Sequence, residues 1–187
     1  MTNFFFALTL PDETKTYIDN IITNLKKQLP FKKWLHPQDY HITLAFLGNT
    51  EEGMRRKAEK LVEEAIEPLG EFSLTVTDIG TFGPVHAPRI LWLGVEHSNS
   101  LLELQKKTYA ASEQAGFILD KKPFKPHITV ARKYIGDIPY QIEKSQDLTM
   151  LQRGEHVFRA SQVTLYKTHM GASPSYEPIF TVPLKKS

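Results

Sequence analysis

The pattern His-Ile-Thr-apolar-Ala occurs twice in this 187-residue chain, as His41-Ile42-Thr43-Leu44-Ala45 and as His127-Ile128-Thr129-Val130-Ala131, 86 positions apart. Each copy falls in a run with the alternation and β-branched content of a strand, Tyr40 to Leu47 and His127 to Lys133. One His-x-Thr is a common accident of composition. Two copies matched over five positions, in opposite halves of the chain, point to a duplicated architecture. The expected arrangement is two similar sheets facing each other, each with one of these strands at its centre. Side chains alternate along a strand, so His41, Thr43 and Ala45 are predicted on one face and Ile42, Leu44 and Phe46 on the other. The same rule brings His127, Thr129 and Ala131 to a shared cleft, each alanine leaving room for a ligand. It puts Arg132 on the opposite face unless a bulge or twist intervenes.

The remaining elements fit this frame. Residues 3–10 read as an aromatic strand closed by Pro11, and Pro11-Asp12-Glu13 open a helix whose stripe Ile18, Ile21, Ile22, Leu25 and Leu29 ends before Pro30. Met54, Ala58, Leu61, Val62, Ala65, Ile66 and Leu69 mark a second helix stopping near Gly70. Strands are predicted at 72–76, 90–95, around 157–167 and around 176–182, with a Gly/Pro-rich loop at 80–88. Ser100-Leu101-Leu102-Glu103 reads as the capping box of a third helix ending at Gly116, and the stretch after Lys133 is rich in turns. Strands outnumber helices. The predicted fold is α+β and bilobal, with two antiparallel or mixed sheets facing a central cleft, helices outside, and residues 1–187 forming one domain of two pseudo-symmetric lobes.

Composition narrows the function classes. Lys+Arg number 23 against 21 Asp+Glu, and a net charge of +2 is too small to make the whole surface a magnet for duplex DNA or anionic lipid. Any anion site must be local. The chain has no cysteine, which removes disulfides, thiolate metal sites and a cysteine nucleophile. The apolar N-terminus lacks the basic flank and cleavage site of a signal peptide, and no run reaches the ~18 to 20 apolar residues of a membrane span. A cytoplasmic monomer without membrane association is expected.

Paired imidazoles and hydroxyls suit one kind of chemistry. Histidine exchanges protons near neutrality, with an unperturbed pKa of ~6.5. Two facing imidazoles serve opposite sides of one reacting centre, one as base toward water and one as acid toward a leaving oxygen, as in-line attack on phosphorus requires. Threonine hydroxyls donate to the non-bridging oxygens where charge builds. No metal or cofactor is called for: zinc wants three or four protein ligands, and neither motif supplies a carboxylate or second histidine at useful spacing, with His36 as the only nearby recruit. His86, His97, His156 and His169 read as surface residues. Phe5 is a candidate for stacking on a nucleobase. Lys121, Lys122, Lys125, Arg132 and Lys133 place five positive charges in thirteen residues around the second motif, either to guide a phosphodiester end or as a solvated loop.

The two motifs His41-Ile42-Thr43-Leu44 and His127-Ile128-Thr129-Val130 resemble those of the 2H phosphoesterase superfamily. Phe5-Phe6-Ala7-Leu8-Thr9-Leu10-Pro11, His41 to Gly48, Pro123 to Thr129 with Arg132, and Tyr176 extend the likeness to its bacterial RNA 2′,3′-cyclic phosphodiesterase branch, once called 2′-5′ RNA ligases, over nearly the whole chain. The resemblance implies metal-independent opening of RNA 2′,3′-cyclic phosphate termini to 2′-phosphomonoesters, with weak reverse 2′-5′ ligation. It implies His41 as proton donor, His127 as proton acceptor, and Thr43, Thr129 and Arg132 as phosphate contacts. Where the family often has Arg before the first strand, this chain has Asn3. Activity that survives EDTA and a bell-shaped pH dependence of kcat/KM are expected. Two alternatives stand beside this: a nucleotide or RNA-end binding module without turnover, and a cyclic phosphodiesterase acting on small nucleotides.

Overall fold

The computed structural model describes residues 1–142 and 146–187. Nine strands form two sheets in which every pairing between named strands is antiparallel. The first sheet has the order β3(His41–Gly48), β1(Phe4–Thr9), β8(Gln162–Thr168), β9(Tyr176–Pro183). The second has the order β2(Phe31–Trp34), β6(His127–Tyr134), β5(Ile90–Val95), β4(Phe72–Phe82), β7(His156–Ala160). The two repeat strands thus lie in different sheets, and β3 and β6 approach each other where the sheets meet. The α+β class, the two sheets and their antiparallel sense match the sequence expectation.

The helices bury the stripes their sequences carry. α1(Asp12–Leu25) turns Ile18, Ile21, Ile22 and Leu25 inward, with acidic residues in its first turn. Its chain reaches the core residue Leu29 through turns beyond the helix end. α2(Glu52–Ile66) stops ahead of Pro68, which cannot continue a helix. α3(Asn99–Gln114) packs on α2 and along β3, and ends at Gly116, whose φ of +109° closes the helix in a conformation glycine adopts without strain. Its cap is Ser98, not Ser100: the Ser98 hydroxyl accepts from the Leu101 N–H at 3.2 Å. One contiguous apolar cluster collects side chains from both sheets and from all four helices.

Several features depart from the sequence expectation, and β3 lies at the edge of its sheet where a central place was expected. β4 continues to Phe82, so the Gly/Pro-rich loop begins later than predicted. The run at 157–167 is two strands, β7 and β8, in different sheets, with the crossing at Ser161. β2 and α4(Gln146–Gln152) occur where no element was predicted, being four and seven residues long. Residues 143–145 of the turn-rich stretch lie outside the described residues.

Candidate active site

Both repeat strands carry a bulge at the same point. From Phe6 to Ala7 on β1 the partner on β3 jumps from Ala45 to Thr43, and from Leu91 to Trp92 on β5 the partner on β6 jumps from Ala131 to Thr129. Leu44 and Val130 are the extra residues, and each resets the alternation of faces. Ala45 and Ala131 therefore turn into the apolar core and do not leave space in the cleft as strict alternation predicts. The residue five positions after each histidine comes round to the cleft instead. In β6 this is Arg132, whose positive charge bears on both imidazoles. In β3 it is Phe46, paired with Phe5 across the strands and 55% exposed.

The two imidazoles are held in the same way. His41 donates its Nδ1–H to the carbonyl of Asp39 at 2.7 Å, and His127 donates its Nδ1–H to the carbonyl of Lys125 at 2.7 Å. A carbonyl only accepts, so in each neutral ring Nε2 is the nitrogen with the free lone pair. On His41 that lone pair accepts from the Thr43 hydroxyl at 2.9 Å. Thr129, two residues after His127, is buried against the second sheet.

Each imidazole has an aromatic seat. Phe5 lies 4.8 Å from His41 between ring centroids, Tyr176 meets His41 edge-on at 5.3 Å, and Tyr166 stands at 6.0 Å. On the other side Phe82 meets His127 edge-on at 4.8 Å, and Trp92 lies at 6.4 Å. Phe5 is 3% exposed and packed against Tyr166 and Tyr176 as well, so a nucleobase has no face of it to stack on. Phe46 is the exposed aromatic of this wall. The Lys125 ammonium stands over both Trp92 and Phe82, at 5.2 and 5.4 Å from the ring centroids.

Electrostatics keep both imidazoles neutral when no anion is bound. Enclosure by the aromatic seat lowers the His41 pKa to about 4; the bond to Asp39 opposes this, while His127, Arg132 and Lys15 push in the same direction. The His127 pKa is also lowered, first by desolvation and then by Arg132 and Lys125, against the opposing bond to the Lys125 carbonyl. Positive charge from Arg132 bearing on both imidazoles suits a site for an anion.

Asp39 had no signal in the sequence. Its carboxylate, on a residue 3% exposed, accepts from the backbone N–H groups of Ser175 and Tyr176 at 2.8 and 3.1 Å, fastening the loop before β9 to the turn before β3. His86, His97 and His169 are exposed, as expected. His36 caps a 3-10 turn, Pro37–Asp39, accepting from the Gln38 N–H. His156 is not a bare surface residue as expected: it stacks on Tyr17 at 4.2 Å and bonds Thr14 at 2.9 Å. Among the described residues no three His, Cys, Asp or Glu side chains converge as a metal site, and no helix is long and apolar enough to cross a membrane.

The chain matches the 2′-5′ RNA ligase superfamily model over residues 11–171. It is 39% identical over 183 residues to an RNA 2′,3′-cyclic phosphodiesterase of Geobacillus stearothermophilus, covering 98% of this chain and 57% of the relative, so it spans little more than half of that protein. It is 34% identical over 178 residues to an RNA 2′,3′-cyclic phosphodiesterase of Bacillus subtilis, covering 95% of this chain and 94% of the relative. Among solved structures it resembles E. coli LigT complexed with 3′-AMP, with a TM-score of 0.76 at 23% identity over 98% of both chains. It also resembles a protein of Thermus thermophilus, TT0787, with a TM-score of 0.75 at 22% identity over 98% of both chains. At those identities the structural likeness speaks for the fold alone.

Proposed function

The chain belongs to the 2′-5′ RNA ligase superfamily, and from this we propose that it is a phosphodiesterase that opens 2′,3′-cyclic phosphate termini of RNA. The observation that carries the proposal is the matched pair of imidazoles, each tied through Nδ1–H to the carbonyl two residues earlier and each left with Nε2 as the working nitrogen beside Arg132.

In the proposed reaction the cyclic phosphate lies between the two strands. Its negative charge favours the charged form of imidazoles that burial first, and the neighbouring cations second, hold neutral, so one of them takes up a proton. Nε2 of His127 accepts a proton from water as the water oxygen bonds to phosphorus. The bond from phosphorus to the 3′-oxygen breaks, and Nε2 of His41 gives its proton to that oxygen. The product is a 2′-phosphomonoester and a free 3′-hydroxyl, and the same course with a 5′-hydroxyl in place of water forms a 2′-5′ linkage. Thr43, Thr129 and Arg132 hold the non-bridging oxygens, and Phe46 offers a ring to the terminal base. The small net charge argues against binding duplex DNA.

The test is a short RNA ending in a 2′,3′-cyclic phosphate, incubated in EDTA with wild type, His41→Ala and His127→Ala. A 2′-phosphate product, reduced about 10² to 10⁴-fold in each variant, is expected. A rate that depends on added Zn²⁺ or Mn²⁺ overturns the acid and base mechanism, and RNA bound by all three proteins without turnover identifies a binding module. Sulfur in place of the leaving 3′-oxygen assigns the roles, since a thiolate departs without a proton: His41→Ala recovers on that substrate and His127→Ala does not.

A further inference from the structure

A basic groove lies beside the cleft and takes no part in the reaction described above. Gln105, Lys106 and Tyr109 of α3 form one bank, and Lys121, Lys122 and Phe124 form the other, around a space of about 260 Å³. The three lysines are exposed. Lys106 and Lys121 enter no salt bridge among the described residues, and Lys122 has only the exposed Asp120, at 3.5 Å. The Tyr109 hydroxyl donates to the Asp120 carbonyl at 3.1 Å, which fixes that ring in the wall of the groove.

Both banks run directly into the repeat strands. β3 is the edge of its sheet, so the carbonyl of Leu44 has no strand to bond; Gln105 donates its side-chain N–H to it at 3.3 Å, pinning α3 next to Thr43. The other bank continues from Phe124 to Lys125, over Trp92 and Phe82, and then to His127. Leu44, held by Gln105, is three positions along β3 from His41, and Phe124 is three positions before His127. A polynucleotide with its terminus between the histidines has more backbone phosphates to place, and here three exposed lysines, of which only Lys122 is paired to a carboxylate, stand beside the rings of Tyr109 and Phe124. A mononucleotide has nothing to put there.

Resting on the phosphodiesterase reading, we propose that this groove is a subsite for the RNA chain preceding the cyclic terminus, and that the preferred substrate is an oligonucleotide end in place of a small cyclic nucleotide. The test compares a 2′,3′-cyclic mononucleotide with a hexanucleotide carrying the same terminal residue, for wild type and for the double variant Lys106→Ala/Lys121→Ala, at low and moderate salt. The wild type is expected to favour the hexanucleotide by about tenfold or more in kcat/KM. The double variant should lose that preference, show a shallower salt dependence on the hexanucleotide, and hydrolyse the mononucleotide at the wild-type rate. Equal effects on both substrates, no effect on either, or a wild type that does not distinguish them overturns the subsite. A wild type inert toward both substrates overturns the phosphodiesterase reading instead, and fluorescence anisotropy of the labelled hexanucleotide then decides the groove: weaker binding by the double variant sustains it, and unchanged binding overturns it.

Discussion

Asp39 acts through both of its carbonyl-bearing ends. Its main-chain oxygen orients His41, while its carboxylate holds the N–H groups of Ser175 and Tyr176, and Tyr176 in turn rests edge-on against His41. Removing the carboxylate leaves two inward N–H donors unpaired and frees the loop that positions Tyr176. Asp39→Ala is expected to lower kcat by about 10 to 100-fold while leaving KM nearly unchanged, and to cost ~1 to 3 kcal/mol of stability. Denaturant melts together with steady-state kinetics check this; a KM effect alone, or no effect on kcat, rejects Asp39 as a positioning residue. The histidines and threonines were legible because a repeat reports itself within one strand. Asp39 was not, because its partners lie 136 and 137 positions away. Arg132 was legible only conditionally, since the bulge at Val130 that turns it to the cleft depends on pairing with β5.

At the scale of elements, the second aromatic seat is built across the pairing of β4 with β5. Trp92 on β5 lies flat over Gly80 on β4, where a Cβ would stand 2.3 Å from the indole ring. That glycine is needed for close approach. Gly80→Ala must push Trp92 toward His127 and Lys125, and is expected to cost ~1 to 3 kcal/mol, to shift the tryptophan emission and to lower kcat/KM. A variant with wild-type stability, emission and activity rejects this account of the Trp92 packing. The same pairing of β4 with β5 explains one limit of the sequence reading. Gly80 and Gly83 resemble a loop in one dimension, yet the strand runs past Gly80 because its glycine makes room for the ring of its neighbour. The break between β7 and β8 was hidden for a related reason: both halves are apolar strands, and only the sheet each one joins separates them. The three long helices and the strand 90–95, whose patterns are set by burial on one face, were read nearly to their ends.

For the whole molecule, the depressed histidine pKa values set how stability follows pH. The unfolded chain takes up protons on these imidazoles near pH 6.5, whereas folded His41 resists down to about 4 and folded His127 also resists below its ordinary value. Between those limits the unfolded state binds more protons, so stability is full above pH 6.5 and falls as the pH drops toward 4, by ~1.4 kcal/mol for each unit of difference at each site. Replacing His41 by Asn should flatten that decline, as thermal melts across the range will show; an unchanged slope rejects the buried neutral imidazole. The kcat/KM optimum is expected below pH 6.5 for the same reason, with a phosphate buffer series excluded because phosphate competes for the site. The duplicated α+β plan was legible in the sequence at this scale, but the exchange of strands between sheets was not.

That exchange has a consequence for the order in which the molecule is made. β1 pairs with both β3 and β8, and the seat of His41 combines Phe5 with Tyr166 and Tyr176, so β1 waits for strands made more than 150 residues later. A ribosome that has delivered both histidines has still not delivered a working pair. The seat of His41 is complete only when residue 176 is free to fold back onto residue 5.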